Sequence, residues 1–142
     1  MIKAACHCTA IRFAIARAPK WVVDCNCTLC RRYGALWAYC KTGDVVFVAG
    51  EGDTDAYEWG AGKFAFHRCK HCGCLTHHTA LDVDPPRIRA VNARIIPTLD
   101  PTRVNLQHTD NGHTGFFWTR APDKFEPGGE PTMAPPGSYD WR

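Results

Sequence analysis

The sequence predicts a mainly β domain tied together by metal-bound thiolates, and three observations carry that prediction. Short apolar runs recur with the two-residue period of strands, glycine and proline interrupt them at hairpin spacing, and eight of the nine cysteines fall into three tight clusters. The clusters are Cys6-His7-Cys8, Cys25-Asn26-Cys27-Thr28-Leu29-Cys30 and Cys69-Lys70-His71-Cys72-Gly73-Cys74. Residues two apart on an extended segment point the same way, and a C-x2-C turn lets two sulfurs converge on one ion.

Taken in order, the Cys6/Cys8 pair opens the first strand, which alternates as Ile11-Arg12-Phe13-Ala14-Ile15. Further strands are expected at 21–23, 36–40, 45–49, 64–67 and 88–93, each a short apolar run. Pro19, Gly43, Gly50, Gly52, Gly60, Gly62, Gly73 and Pro85-Pro86 separate them. Only residues 30–33 and 101–104 read as a turn or two of helix. Trp37, Tyr39, Phe64 and Phe66 are expected to fill the core. From Ala121 the chain carries too many prolines and glycines for a packed element, so the reading is a domain over 1–120 and an irregular tail over 121–142, with Tyr139 and Trp141 able to dock its tip.

A chain of 142 residues suits one domain, whose small core a structural metal would help to close. The odd cysteine count and the absence of an apolar leader argue for a reducing, cytoplasmic setting rather than a disulfide framework. No apolar stretch approaches membrane-spanning length, so no membrane partner is expected. The formal charge is +3; bound thiolates would bring a closed zinc site to about −2 and an open one to about −1, leaving the metallated protein near neutral. That excludes the strong basic field of a nucleic-acid binder.

The ligands partition by position. Cys6 and Cys8, joined to Cys69 and Cys72, complete a four-thiolate tetrahedron with no open position, a structural zinc whose binding energy is folding energy. Cys25, Cys27 and Cys30 offer three sulfurs from one short stretch, and three protein ligands with a vacant fourth position is how catalytic zinc is usually held. Cys74 or a histidine is an alternative fourth ligand that would close this second site. Arg31 and Arg32 follow directly and are candidates to fork onto the carboxylate of an anionic ligand. Cys40 reads as a small core residue. His71, His77 and His78 are candidate proton carriers, none ranked as catalytic, and on a strand His77 and His78 would face opposite ways.

Cys6-x-Cys8, Cys25-x-Cys27-x2-Cys30-Arg31-Arg32-x-Gly34 and Cys69-x2-Cys72-Gly73 in combination resemble the glutathione-dependent formaldehyde-activating enzyme family, which includes the centromere protein V-like domains. The resemblance implies a β-tent fold, small sheets around a four-cysteine zinc, with Cys6, Cys8, Cys69 and Cys72 as structural ligands and Cys25, Cys27 and Cys30 as the second site. It implies a carbon-sulfur lyase run in the synthetic direction, condensing glutathione with formaldehyde to S-hydroxymethylglutathione, with two zinc ions per chain. Two departures point to a divergent branch whose thiol need not be glutathione. Cys74 stands where the family commonly has a small hydroxyl residue, and Val91-Asn92-Ala93-Arg94 replaces a glycine-then-aspartate element. Two other classes share these residues: a carrier of glutathione or a thiol adduct, and an interaction module with two structural zincs.

Overall fold

The computed structural model describes residues 1–100, 102–110 and 115–120. Eleven strands run in order: β1 Ile2–Ala5, β2 Arg12–Ile15, β3 Trp21–Cys25, β4 Trp37–Tyr39, β5 Val45–Ala49, β6 Thr54–Trp59, β7 Phe64–Cys69, β8 Leu75–Ala80, β9 Arg87–Asn92, β10 Asn105–Asp110 and β11 Gly115–Arg120. One helical turn, α1 Cys30–Tyr33, and a 3-10 turn, Ala93–Ile95, interrupt them. They form a three-stranded sheet, β1-β2-β5, and an eight-stranded sheet, β11-β10-β3-β4-β9-β8-β7-β6. Every pairing is antiparallel except β10 on β3, which is parallel.

The mainly β class and the six expected strands are present, with bounds shifted by one or two residues. Three details differ. Cys6 and Cys8 do not open a strand: they sit in the turn between β1 and β2, where Thr9 N–H bonds the Cys6 carbonyl at 3.0 Å, because a strand too short to read from the sequence, β1, precedes them. Residues 102–104 form a turn and no helix, since the Arg103 and Val104 N–H groups both converge on the Asp100 carbonyl at 3.1 Å. Tyr39 is 47% exposed instead of filling the core, whereas Trp37 and Phe66 are buried. The expected tail, 121–142, lies outside the described residues.

Strand alternation divides the core into two layers. Ala4, Ile11, Phe13 and Ile15 of the small sheet region pack against Val22, Leu36, Ala38, Val91 and Ile96 on one face of the large sheet. The opposite face carries Val23, Cys25, Cys30, Ala35, Trp37, Phe66, Leu75 and Ala90. Register makes this explicit. Ala38, Val91, His77 and His67 lie in one row across β4, β9, β8 and β7, and their chain neighbours Tyr39, Ala90, His78 and Phe66 form the adjacent row on the other face.

Candidate functional site

Among the described residues, two groups of three or more metal-ligating side chains converge, Cys6/Cys8/Cys69/Cys72 and Cys25/Cys27/Cys30, with the sulfurs of each group within 4.8 Å of one another. They are the two sets that the spacing predicted, and they lie on opposite faces of the large sheet.

The four-sulfur cluster forms where the β1–β2 turn meets the knuckle after β7. The knuckle is held by Gly73 N–H on the Cys69 carbonyl and Cys69 N–H on the Cys74 carbonyl, both 2.9 Å. Cys6 Sγ lies 3.6 Å from Cys8 Sγ, and Cys8 Sγ 3.7 Å from Cys69 Sγ. A tetrahedron with Zn–S bonds of about 2.3 Å has an edge of about 3.8 Å. The donors and their spacing therefore fit zinc. Ile11 N–H donates to Cys6 Sγ at 3.3 Å, which stabilises charge on a sulfur buried in the main core. The N–H groups of Cys8 and Cys74 bring the Cys72 thiol down to about 5.

The triad is built by the end of β3 and by α1. Cys25 closes β3 on its inward face; the chain then turns so that Cys27 sits before the helix and Cys30 begins it. Gly34 ends α1 in a left-handed conformation, φ 60°, that a residue with a Cβ adopts only at a cost. Arg94 Nε–H donates to the Gly34 carbonyl at 2.6 Å, and Ala93 N–H to the Leu36 carbonyl at 2.7 Å, so the segment 92–94 clamps the triad loop. Asn92, buried, holds that segment in place through Nδ2 on the Leu75 carbonyl and Oδ1 under the Arg94 N–H. The residues that depart from the family pattern thus have a structural use.

N–H groups point at the triad sulfurs: Cys30 N–H at Cys27 Sγ and the indole Nε1–H of Trp37 at Cys30 Sγ, both 3.3 Å, while the backbone N–H of Leu29 also acts on Cys27 and that of Cys27 on Cys25. Three sulfurs this close cannot all ionise unaided. The Cys25 and Cys30 thiols donate to Cys27 and push it down to about 2, while both of them are raised by the same contacts. A metal bound here would replace that single shared charge with three thiolates, which is what a soft cation requires. Among the described residues no fourth Cys, His, Asp or Glu joins the group.

Cys74, the alternative closing ligand, packs instead beside the four-sulfur cluster, its thiol interacting with Cys72. Arg31 and Arg32 are exposed on α1, and Arg32 Nη1–H donates to the Thr28 carbonyl, which fixes the loop between Cys27 and Cys30. Cys40 is half-buried against the main core, and burial pushes its thiol up to about 11. His71 lies on the surface, 4.0 Å from Asp53.

His77 and His78 face opposite layers, as strand geometry requires. His77 stacks on His67 at 4.2 Å between Phe13 and Phe47. His78 faces the triad layer inside four rings: Trp37 at 4.7 Å, Phe66 at 5.2 Å, and Tyr39 and Phe64 at 5.7 Å. Its Nδ1 is buried with no hydrogen-bond partner among the described residues. Arg89 is a residue that sequence reading missed. Between the pairs His78–Ala90 and Thr79–Ile88 the register shifts, leaving Arg89 as the extra residue of a β-bulge. Its charge acts on His78 and on Tyr39. Tyr39 is pushed up to about 12, first by desolvation and then by Cys25 and Cys30, so its hydroxyl stays protonated.

The chain resembles a crystal structure of a Rhodobacter sphaeroides protein, with a TM-score of 0.61 and 27% identity over 71% of this chain and 93% of that one. Residues 1–107 match the model of the family described as glutathione-dependent formaldehyde-activating enzyme. With both cysteine sets converged and the match covering most of its length, the chain belongs to the glutathione-dependent formaldehyde-activating enzyme family.

Proposed function

We propose that this protein is a zinc-dependent carbon-sulfur lyase-like enzyme that condenses a thiol, glutathione or a relative, with formaldehyde or a related aldehyde at Cys25, Cys27 and Cys30. The observation that carries the reading is the three-sulfur cluster with no fourth protein donor among the described residues. A zinc ion held there would keep an incoming thiol as a thiolate at neutral pH. The chain's own groups do the rest. Trp37 and the Cys30 N–H spread charge from two of the three sulfurs, and Arg94 keeps their loop in one conformation. As the thiolate sulfur bonds to the carbonyl carbon, the carbonyl π pair moves to oxygen, which takes up, through solvent, the proton that the thiol released. Tyr39, kept protonated on the triad face, is the group suited to donate a hydrogen bond to that oxygen, and Arg89 complements its negative charge.

The four-cysteine cluster is assigned a structural zinc. Replacing Cys27 by Ser is expected to lower bound zinc from two ions per chain to one, leave the fold intact and abolish turnover. Turnover is read as magnetisation exchange between formaldehyde and its glutathione adduct. An exchange rate unchanged by the zinc-loaded protein, alongside measurable glutathione binding, would make it a carrier. Unfolding on Cys27→Ser would make both zincs structural.

A further inference from the structure

His78 is a buried polar side chain that the fold leaves without a partner. It is 3% exposed, and its Nδ1 has no hydrogen-bond partner among the described residues. Register places it on the triad face, in the row Tyr39, Ala90, His78, Phe66. Burying an acceptor without a donor is costly, and phenylalanine would suit the same aromatic surroundings without that cost. An imidazole offers there what a phenyl ring does not, a nitrogen open to a partner from outside the described chain.

The cage around it limits what that partner is. Trp37, Phe66, Phe64 and Tyr39 surround the ring at centroid distances of 4.7 to 5.7 Å. The indole N–H of Trp37 is already given to Cys30 Sγ, so it does not serve Nδ1. Water needs two to four polar partners and finds here one nitrogen and at most the Tyr39 hydroxyl. A hydroxyl on carbon fits better, its O–H meeting Nδ1 while the carbon lies against the rings. Trp37 ties the cage to the reactive centre, since its ring lies 4.7 Å from His78 and its N–H bonds a triad sulfur at 3.3 Å. Tyr39, at 47%, is the most exposed of the four rings, and exposed side chains change rotamer within picoseconds to nanoseconds, so it is the ring that can swing aside for a small molecule.

We propose that His78 binds the oxygen of the thiol–aldehyde adduct, its Nδ1 accepting the hydrogen bond of the new hydroxyl. The assignment rests on the proposed reaction at the triad. Addition joins sulfur to the carbonyl carbon, turns the carbonyl π pair into a lone pair on oxygen, and leaves that oxygen with the proton the thiol released. The imidazole gains no proton: burial and the Arg89 charge keep it neutral, and it serves only as an acceptor. With Tyr39 donating to the same oxygen, the hydroxyl is held as donor and acceptor at once. Neither the free carbonyl nor the thiol sulfur has an O–H to offer, so the contact is made by the adduct alone and favours it over the reactants.

The test uses the full-length zinc-loaded protein with isotope-labelled histidine, followed by nitrogen NMR, with glutathione and, separately, ethanethiol as the thiol. The His78 signals are identified by their loss in His78→Phe and His78→Asn. Formaldehyde added with at least one thiol is expected to move the Nδ1 signal upfield, the direction of hydrogen-bond acceptance, whereas thiol alone or formaldehyde alone leaves it in place. In His78→Phe the ratio of bound adduct to bound thiol at fixed formaldehyde should fall at least about fivefold, with zinc content and thiol affinity unchanged. His78→Asn, which restores an acceptor, should recover part of that ratio. No shift with either thiol, an equal shift with formaldehyde alone, or a ratio unchanged in His78→Phe overturns the proposal. Catalysis of formaldehyde exchange is measured separately: the shift without catalysis makes the protein a carrier and upholds the role of His78, while catalysis without the shift overturns that role and leaves the lyase reading standing.

Discussion

His77 and His78 are consecutive and chemically identical, yet one is stacked on an imidazole between phenylalanines and the other is ringed by four aromatic side chains. Burial costs the charged form of each, taking His77 down to about 3 and His78 down to about 4. Unfolded histidines take up protons near pH 6.5, so below that pH the unfolded state binds more protons than the native one. Stability is complete above about 6.5 and falls as pH drops, by up to about 1.4 kcal/mol per pH unit for each ring. Replacing His78 by Phe, which suits its aromatic surroundings, should flatten the decline between pH 7 and 5.5 by about one such increment. Urea unfolding of both proteins with zinc content monitored measures it; parallel curves would show that His78 is protonated in the fold. The opposed facing of the two rings was legible in the sequence, because alternation needs only the assumption of a strand. Which ring meets the triad was not, since that depends on which face of β8 the small sheet covers.

At the scale of elements, bulges and tight approaches set the site. Thr76 has no partner where His67 pairs with His77 and Arg68 with Leu75, and its hydroxyl donates to the His67 carbonyl instead. Arg89 is the corresponding extra residue on β9. Periodicity cannot anticipate either, because a bulge shifts facing by one residue without altering composition. For the same reason β8, written Leu-Thr-His-His-Thr-Ala, carries no apolar alternation although it is nearly all buried. The edge strand β6 is mostly exposed and mixes Thr, Asp and Glu with Ala, Tyr and Trp, so it too lacks an apolar alternation. Gly50 shows the opposite case, a residue whose identity is dictated by contact. It has φ +77°, and a Cβ there would lie 2.4 Å from the Ala10 carbonyl oxygen, at the seam where β5 leaves β2. Gly50→Ala should cost about 2 kcal/mol or more, seen as a lowered denaturation midpoint, whereas Gly52→Ala, with open space and no positive φ, should cost well under 1 kcal/mol.

For the molecule as a whole, the four-cysteine cluster joins segments separated by 61 residues, Cys8 to Cys69. A metal held there would act on the unfolded state as a long-loop clip and on the native state as a bond between the two sheets. Chelation that strips this site should lower the thermal midpoint by at least about 10 °C, and Cys69→Ser should do the same. Loss of the triad ion alone in Cys27→Ser should move the midpoint by only a few degrees. Differential scanning calorimetry with metal analysis separates the two, and equal shifts would mean that both ions carry the fold. No helix among the described residues is long and apolar enough to cross a membrane.

By itself the sequence determined the two cysteine clusters, the mainly β class and the family, because C-x-C and C-x2-C spacing is local covalent geometry and converging sulfurs ask little of the rest of the chain. Tertiary structure alone decided that Cys74 stays with the four-cysteine cluster and that Arg89 and Tyr39 act on the triad face. Those outcomes rest on strand register and on loops meeting from distant parts of the chain. No window of residues contains that information, since a one-residue slip reverses every facing.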